Sequence, residues 1–499
     1  MGAVSDIVAT TLDQPPVLDT RLFGHPRGLG LLFLVEMWER FSYYGMRAIL
    51  VLYLVQSLKW TNADALHLYG TYTGLAWLTP LIGGYIADKF LGTRRSVVIG
   101  GAIIAAGHFA LAFASSSMFY VGLGLIVIGT GFFKPNVSTM VGQLYSPGDE
   151  RRDSGFTIFY LGINTGAFIA PLVCGYLAAD PRLGWHYGFA AAGIGMVLGL
   201  ITYLWGRERY LPGIGVRGEQ RGATASEPMR DSGLVKESAS ALWAVLGAGA
   251  GAAIVSVRGA SLMGYFYAVL IGACIGLTMG GSRGAERKRV IALFIMFFFV
   301  SIFWMGYEQS GGSMTLFAAN HTNLAIGSFT FPASWFQSVN PAFILLFAPA
   351  FAALWLKIAK NGRHFSTAAK MALGLVLMGI GFAILSVGGR MADTGVLVSP
   401  LFLVFAYMFH TMGELCLSPV GLSYVTKVAP YRFASLIMGA WFLANSAGAT
   451  LAGYTGALMD KVASQGTFYT IFVGTSLIGG LILFALVPLL NKMTVTAEA

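Results

Sequence analysis

The sequence predicts an all-α membrane protein of two six-helix bundles with two extra helices between them. Three observations carry that expectation. The 499 residues are 56% hydrophobic and 11% charged, against roughly 25% charged in a typical soluble domain. Apolar runs recur along the whole chain, each near the roughly 20 residues needed to cross a hydrocarbon core of about 30 Å. These runs are continuous rather than alternating, which selects helices over the closed barrel that is the other way to satisfy a backbone in lipid.

Taken in order, the first bundle is expected to hold spans at roughly 29–56, 67–88, 96–115, 118–142, 154–178 and 185–206. The polar stretch from about Leu211 to Lys236, rich in Gly, Arg, Glu and Ser, then reads as an inner linker. An extra hairpin follows at roughly 239–257 and 261–280. Its one ionisable residue is Arg258 in the turn, so it is expected to be peripheral and lipid-facing. The second bundle takes roughly 290–313, 333–356, 367–388, 399–426, 433–458 and 467–490, making about 14 spans. The expected units are therefore 1–210, 211–284 and 285–499. Lys89, Arg94, Arg95, Arg151, Arg152, Arg207, Arg209, Arg283, Arg287, Lys288, Arg289, Lys357, Lys360, Lys427 and Arg432 fall in one set of loops, and far fewer basic residues in the other. That asymmetry puts both termini in the cytoplasm. The polar start of the chain has no basic-then-apolar signal pattern, so no cleavable leader is expected.

The net charge of +10 is spread over loops rather than gathered in one domain, which argues against nucleic-acid binding. Cys174, Cys274 and Cys416 lie inside apolar runs with no disulfide or metal spacing. The seven histidines show none either, and His108 and His410 read as packed helix residues.

An ionisable side chain within a span costs about 2.5–3.5 kcal/mol or more to insert, so each is a candidate functional residue. Glu36, Glu39, Arg40 and Arg47 lie on the first span, Lys134 on the fourth, Glu308 and Glu414 in the second bundle. At about 100° per residue, Glu36, Arg40, Tyr43 and Arg47 share a stripe about 60° wide, with Glu39 about 60° to one side. Counting about 1.5 Å per residue puts Lys134 and Glu414 near one depth, in the inner half, and Arg47 and Glu308 near another, in the outer half. Two pairs across the bundles, Arg47 with Glu308 and Lys134 with Glu414, would make two gates. The alternative is a set of static ion pairs. Four acids against three bases, however, leave one carboxylate over, easiest to bury protonated, which implies a proton site. Tyr43, Tyr44, Tyr160, Asn164, Trp304, Asn340, Trp441 and Asn445 belong to the same region. Tyr160 with Asn164, and Trp441 with Asn445, share helix faces by their i, i+4 spacing.

The segment from Glu36 to Gly45, with Glu36, Glu39, Arg40, Phe41, Tyr43, Tyr44 and Gly45 in place, resembles the ExxERFxYYG motif of the proton-dependent oligopeptide transporter family, within the major facilitator superfamily. Segments 129–136, 156–166, 303–309 and 413–419 look like further family motifs in order, so the resemblance spans essentially the whole chain, including the extra hairpin of bacterial members. It implies the major facilitator fold and proton-coupled import of di- and tripeptides by alternating access. Its energy source would be the proton gradient without a cofactor, and its place the inner (plasma) membrane among lipids; a catalytic role is not implied. By the resemblance, Arg47 and Lys134 hold the peptide carboxylate. By the same resemblance Glu414 with Asn164 and Asn340 receives the ammonium, and Tyr43, Tyr44, Tyr160, Trp304 and Trp441 form side-chain pockets. Separately from the resemblance, Glu36 or Glu308 is expected to carry the proton. The histidine that animal members place on the second span is Gly70 here, which leaves the proton to carboxylates. The alternative within the family is a proton-coupled importer of another small anion such as nitrate.

Overall fold

A computed structural model describes residues 22–146, 148–216, 237–256, 261–361 and 365–494. Most of the linker expected at 211–236 and the turn residue Arg258 lie outside the described residues. The first six long helices are α1 (Arg27–Leu52), α2 (Asn62–Ile86), α3 (Thr93–Leu111), α4 (Ser116–Gln143), α5 (Arg151–Ala179) and α6 (Trp185–Tyr210). The hairpin is α7 (Glu237–Ser256) and α8 (Leu262–Gly281). Then come α9 (Gly284–Tyr307), the short α10 (Ser313–His321), α11 (Val339–Lys360), α12 (Thr367–Ala392), α13 (Leu401–Val428), α14 (Ala434–Gly456) and α15 (Gln465–Thr494). Ten helical stretches among the described residues are long and apolar enough to cross a membrane. Helix α1 falls short by composition because every 18-residue stretch of it includes Glu36, Glu39 and Arg40.

The ends of these helices follow from local chemistry. Thr61 caps α2 by accepting from the Asp64 amide at 3.1 Å while its hydroxyl donates to the Asp64 carboxylate at 2.7 Å, a reciprocal capping arrangement. Ser366 caps α12 by accepting from the Ala369 amide. The span expected at 290–313 is broken: α9 ends in a 3₁₀ turn at Glu308–Gly311, and α10 restarts after Gly312. The loop behind it folds into a two-residue hairpin, Ala325–Ile326 against Phe329–Thr330, the one strand ladder among the described residues and one that helical periodicity gave no hint of.

Helix α1 packs on α5 and α6, α3 on α4 and α6, and α12 on α13 and α15, while α9 packs on α14 and α15. The seam between the first six helices and the last set runs chiefly along α2 and α14 and along α5 and α11. At the middle of the first seam Ser446 donates to the Gly74 carbonyl at 2.6 Å. Towards one face Asp460 accepts from the Asn62 side chain at 2.8 Å and the Ala63 amide at 2.9 Å. At the same face Ser338 and Trp335 donate to the Phe168 and Leu172 carbonyls, so this face is closed. In the hairpin, α7 rests on α8, and α8 touches α9 and α14. Its Tyr267 hydroxyl lies 2.7 Å from Ser446 Oγ and 2.8 Å from Thr450 Oγ1. The hairpin is thus exposed along α7, as expected, yet α8 reaches the seam.

Candidate functional site

Helices from both sets enclose a cavity of about 260 Å³, slightly below the roughly 300–1,000 Å³ of small-molecule sites. Its wall includes Glu36, Arg40, Tyr43, Tyr44, Arg47, Lys134, Tyr160, Asn164, Trp304, Glu308, Asn340, Glu414, Trp441 and Asn445. Of the candidate residues, Glu39 alone is off the wall.

The end of the cavity towards the closed face is shut by a triangle of buried groups. Arg47 Nη2 meets Glu308 Oε2 at 2.8 Å, Arg47 Nε donates to the Tyr69 hydroxyl at 2.7 Å, and Tyr69 donates to the same Glu308 oxygen at 3.0 Å. All three residues are at most 5% exposed. The break after α9 makes the contact: a Cβ on Gly311 would fall 2.0 Å from the Tyr69 hydroxyl and 3.1 Å from Arg47 Nε. Any larger residue there would push the triangle apart.

About two helical turns away along α1, Arg40 Nε lies 3.0 Å from Glu36 Oε1 and 2.5 Å from Glu39 Oε2, and its guanidinium covers the Tyr43 ring at 5.5 Å. The i, i+4 spacing places Glu36 on the cavity side, while Glu39 is buried against the cation. Both acids are thereby neutralised by one base, as far as one charge can do so.

The second cross-bundle pair does not form. Lys134 Nζ sits 3.7 Å from the centre of the Trp77 ring, a cation–π contact, and no carboxylate among the described residues pairs with it. Glu414 instead accepts from Asn340 Nδ2 at 3.0 Å. Asn340 also donates to Thr411 at 2.9 Å and accepts from the Tyr307 hydroxyl at 3.0 Å. Opposite charge and equal depth suggest that pair, but depth along the membrane normal says nothing about separation across a cavity. Asn164 turns its amide back to the Tyr160 carbonyl at 2.9 Å. Asn445 Oδ1, Trp304 Nε1 and Ser418 Oγ are buried at the wall with no hydrogen-bond partner among the described residues. Such orphaned groups are costly unless something else meets them.

Tyr69, Trp77, Tyr307, Gln337 and Tyr407 are the residues that sequence reasoning missed. Gln337 donates to the Thr315 hydroxyl at 3.1 Å, and Tyr407 to the Ser310 carbonyl at 3.0 Å. The available signal was the spacing of Tyr69, Thr73 and Trp77, four residues apart on one face of α2. Gly70 lies against α14: a Cβ there would be 2.7 Å from Gly453 Cα, so the fold leaves no room for a larger side chain. His108 and His410 are buried, His410 with its ring 4.4 Å from that of Phe382. No group of three or more potential metal ligands occurs among the described residues.

Two sets of membrane-crossing helices around a cavity walled by charges of both signs, latched together at one face, form a membrane transporter. The chain belongs to the POT family, whose model matches residues 94–224 and 249–490. It is 40% identical to the uncharacterized transporter YclF of Bacillus subtilis, over 94% of this chain and 95% of the relative. It is 38% identical to a di-/tripeptide transporter of Lactococcus lactis subsp. cremoris, over 94% and 97%. Among solved structures, that of a peptide transporter POT in complex with sulfate superposes with a TM-score of 0.79 at 36% identity, covering 95% of this chain and 96% of the other. These relatives are transporters rather than enzymes, and the fold is the all-α fold of that family.

Proposed function

We propose that the protein is a proton-coupled symporter that imports di- and tripeptides across the inner membrane, with both termini in the cytoplasm. The units 1–210 and 285–499 rock about the cavity, with 211–284 as linker and peripheral hairpin. The observation that carries this reading is the split of charge in one small cavity: Lys134 without a paired acid among the described residues on one wall, and Glu414 held by neutral groups on another. Arg47 and Lys134 take the peptide carboxylate, and Glu414 with Asn164 and Asn340 takes the ammonium. Tyr43, Tyr44, Tyr160, Trp304 and Trp441 receive side chains, and Asn445 offers a peptide N–H its free carbonyl. Two cations and an anion fixed across a gap match a short zwitterion by charge-assisted bonds, and contacts to the ends alone leave side chains unselected. Glu308, released when Arg47 turns to the substrate, or Glu36 takes the proton. Membership of the POT family and the naming of a 38% identical relative as a di-/tripeptide transporter support the substrate class.

The test is uptake of labelled dialanine into proteoliposomes under an inward proton gradient, with free alanine and nitrate as competitors. Accumulation that collapses with the gradient, is blocked by unlabelled dialanine and is indifferent to alanine and nitrate is expected. Competition by nitrate as strong as by dialanine would refute the reading.

A further inference from the structure

Away from the central cavity, α7 and α8 enclose a surface groove of about 790 Å³. The two helices touch backbone to backbone: a Cβ on Gly247 would fall 2.1 Å from the Gly272 carbonyl, and one on Gly251 2.1 Å from that of Ala268. Larger apolar side chains stand up as walls, among them Trp243, Leu246 and Ile254 on α7 and Ile275 and Met279 on α8. Trp243 is 48% exposed and Ile254 72%, so the groove opens outward, to lipid in a membrane-spanning hairpin. From Trp243 to Ile254 it runs 11 residues, about 16 Å, which is half of a hydrocarbon core of about 30 Å and so the depth of one leaflet.

Its one charged lining residue is at one end. Arg287, exposed at the start of α9, donates from Nη2 to the Met279 carbonyl at 3.1 Å, which bends the guanidinium over the mouth of the groove. No carboxylate among the described residues pairs with it. The adjacent acid, Glu286, is taken by Arg432. Arg283 and Lys288 are exposed beside it, and Arg289 follows, so the segment 283–289 holds four bases and one acid. By the charge asymmetry of the loops this is the cytoplasmic end, where anionic lipid headgroups lie.

We propose that this groove is a binding site for an anionic phospholipid of the cytoplasmic leaflet, one acyl chain lying between α7 and α8 and the phosphate resting on Arg287. A leaflet-deep apolar trough with a single cation at its headgroup end matches that molecule end to end. A zwitterionic headgroup would bring its own cation to a cluster already rich in positive charge. A helix from a second copy fits worse, since a 16 Å length about 10 Å across fills roughly 1,250 Å³, and its packing would leave Arg287 without a counter-charge.

The full-length protein in mixed vesicles tests this through bromine quenching of tryptophan. Dibromo-phosphatidylglycerol and dibromo-phosphatidylcholine are compared at equal mole fraction, and the Trp243 signal is taken as the difference between the native protein and Trp243→Phe. A preference of about fivefold for the glycerol lipid at Trp243 is expected, from about 1 kcal/mol per basic residue near anionic lipid. Arg287→Ala should bring it close to one, and Arg287→Lys should keep most of it. Equal quenching by the two lipids in the native protein, or an undiminished preference in Arg287→Ala, overturns the proposal. So does abolition of the preference by soluble glycerol phosphate, which would make this a site for a free phosphate. Weak quenching by both lipids together with Leu246→Cys cross-linking between two copies would assign the groove to self-association instead.

Discussion

In the proposed orientation, Glu308 is the residue on which the closed outer face depends most directly. Its Oε2 accepts from Arg47 at 2.8 Å and from Tyr69 at 3.0 Å, so it joins α9 to both α1 and α2 through one buried oxygen. In Glu308→Gln the amide carbonyl still accepts from the Arg47 cation, so one charge-assisted bond is kept, but the buried guanidinium loses its counter-charge, taken as about 1–2 kcal/mol because a hydrogen-bond partner remains. The loss of about 1–2 kcal/mol lowers the ratio of closed to open outer face by roughly 5- to 30-fold, at 1.36 kcal/mol per factor of ten. Glu308→Ala goes further: it strands the buried Arg47, which typically costs about 3–5 kcal/mol. Removing both partners as Arg47→Ala with Glu308→Ala should recover part of that, because no buried charge remains unpaired. Spin labels at Lys59→Cys and Lys461→Cys, on the loops flanking the Asn62–Asp460 contact, would report the opening as a longer distance in nanodiscs. The order of opening should be Gln below Ala, with the double variant below Ala. A distance distribution identical in native, Gln and Ala proteins would refute the claim that this triangle latches the outer face.

Four further outcomes are expected. Arg47→Ala and Lys134→Ala should each abolish concentrative dialanine uptake, and near-native uptake and affinity in either would remove that residue from the carboxylate site. Of Glu36→Gln and Glu308→Gln, the one that removes the coupled proton should stop uphill uptake yet leave peptide counterflow measurable, since exchange needs no net proton movement; unchanged proton-driven uptake in both would exclude both carboxylates. Tyr267→Phe deletes the hydroxyl that meets Ser446 and Thr450, and at about 0.6 kcal/mol per hydrogen bond in a membrane it should shift the same spin-label distribution by severalfold, whereas no shift would mean that the hairpin does not report on the seam. Charge exchange by Lys134→Glu with Glu414→Lys should show a stability coupling below about 0.5 kcal/mol in a double-mutant cycle in detergent, the value for independent sites, and a coupling of several kcal/mol would place the two in direct contact.

The helices were legible because apolar length is dictated by the bilayer and survives any detail of packing. The charged wall was legible for the same reason inverted: lipid makes Glu36, Arg47, Lys134 or Glu414 too expensive to place idly, so each stands out against its span. Aromatic and neutral polar residues carry no such penalty. Tyr69 reads as core by every sequence rule, yet its hydroxyl completes the Arg47–Glu308 triangle; Trp77 likewise reads as packing and turns out to hold Lys134. The break at Gly311–Gly312 was hidden because a glycine in an apolar run signals close packing as readily as a kink. What separates the two is the neighbour it meets, here Tyr69 from a helix some 240 positions away in sequence.

The contrast between the bases explains why the cavity responds to a substrate at all. Arg40 already faces two carboxylates and Arg47 already faces one, so both are compensated in the closed state. Lys134 rests on the face of an indole, worth about 0.5–2 kcal/mol, which is less than a charge-assisted bond to a carboxylate can return. Glu414 is in the mirror position, with an amide donor but no cation. A direct Lys134–Glu414 pair would satisfy both and leave a substrate little to gain. Holding them on separate neutral partners keeps one strong acceptor and one strong donor available across the gap. On the proposed reading, a zwitterion spanning that gap gains at both ends and draws Arg47 as well. Arg47 can turn to it only by giving up Glu308, so binding itself loosens the outer latch and frees a carboxylate for a proton.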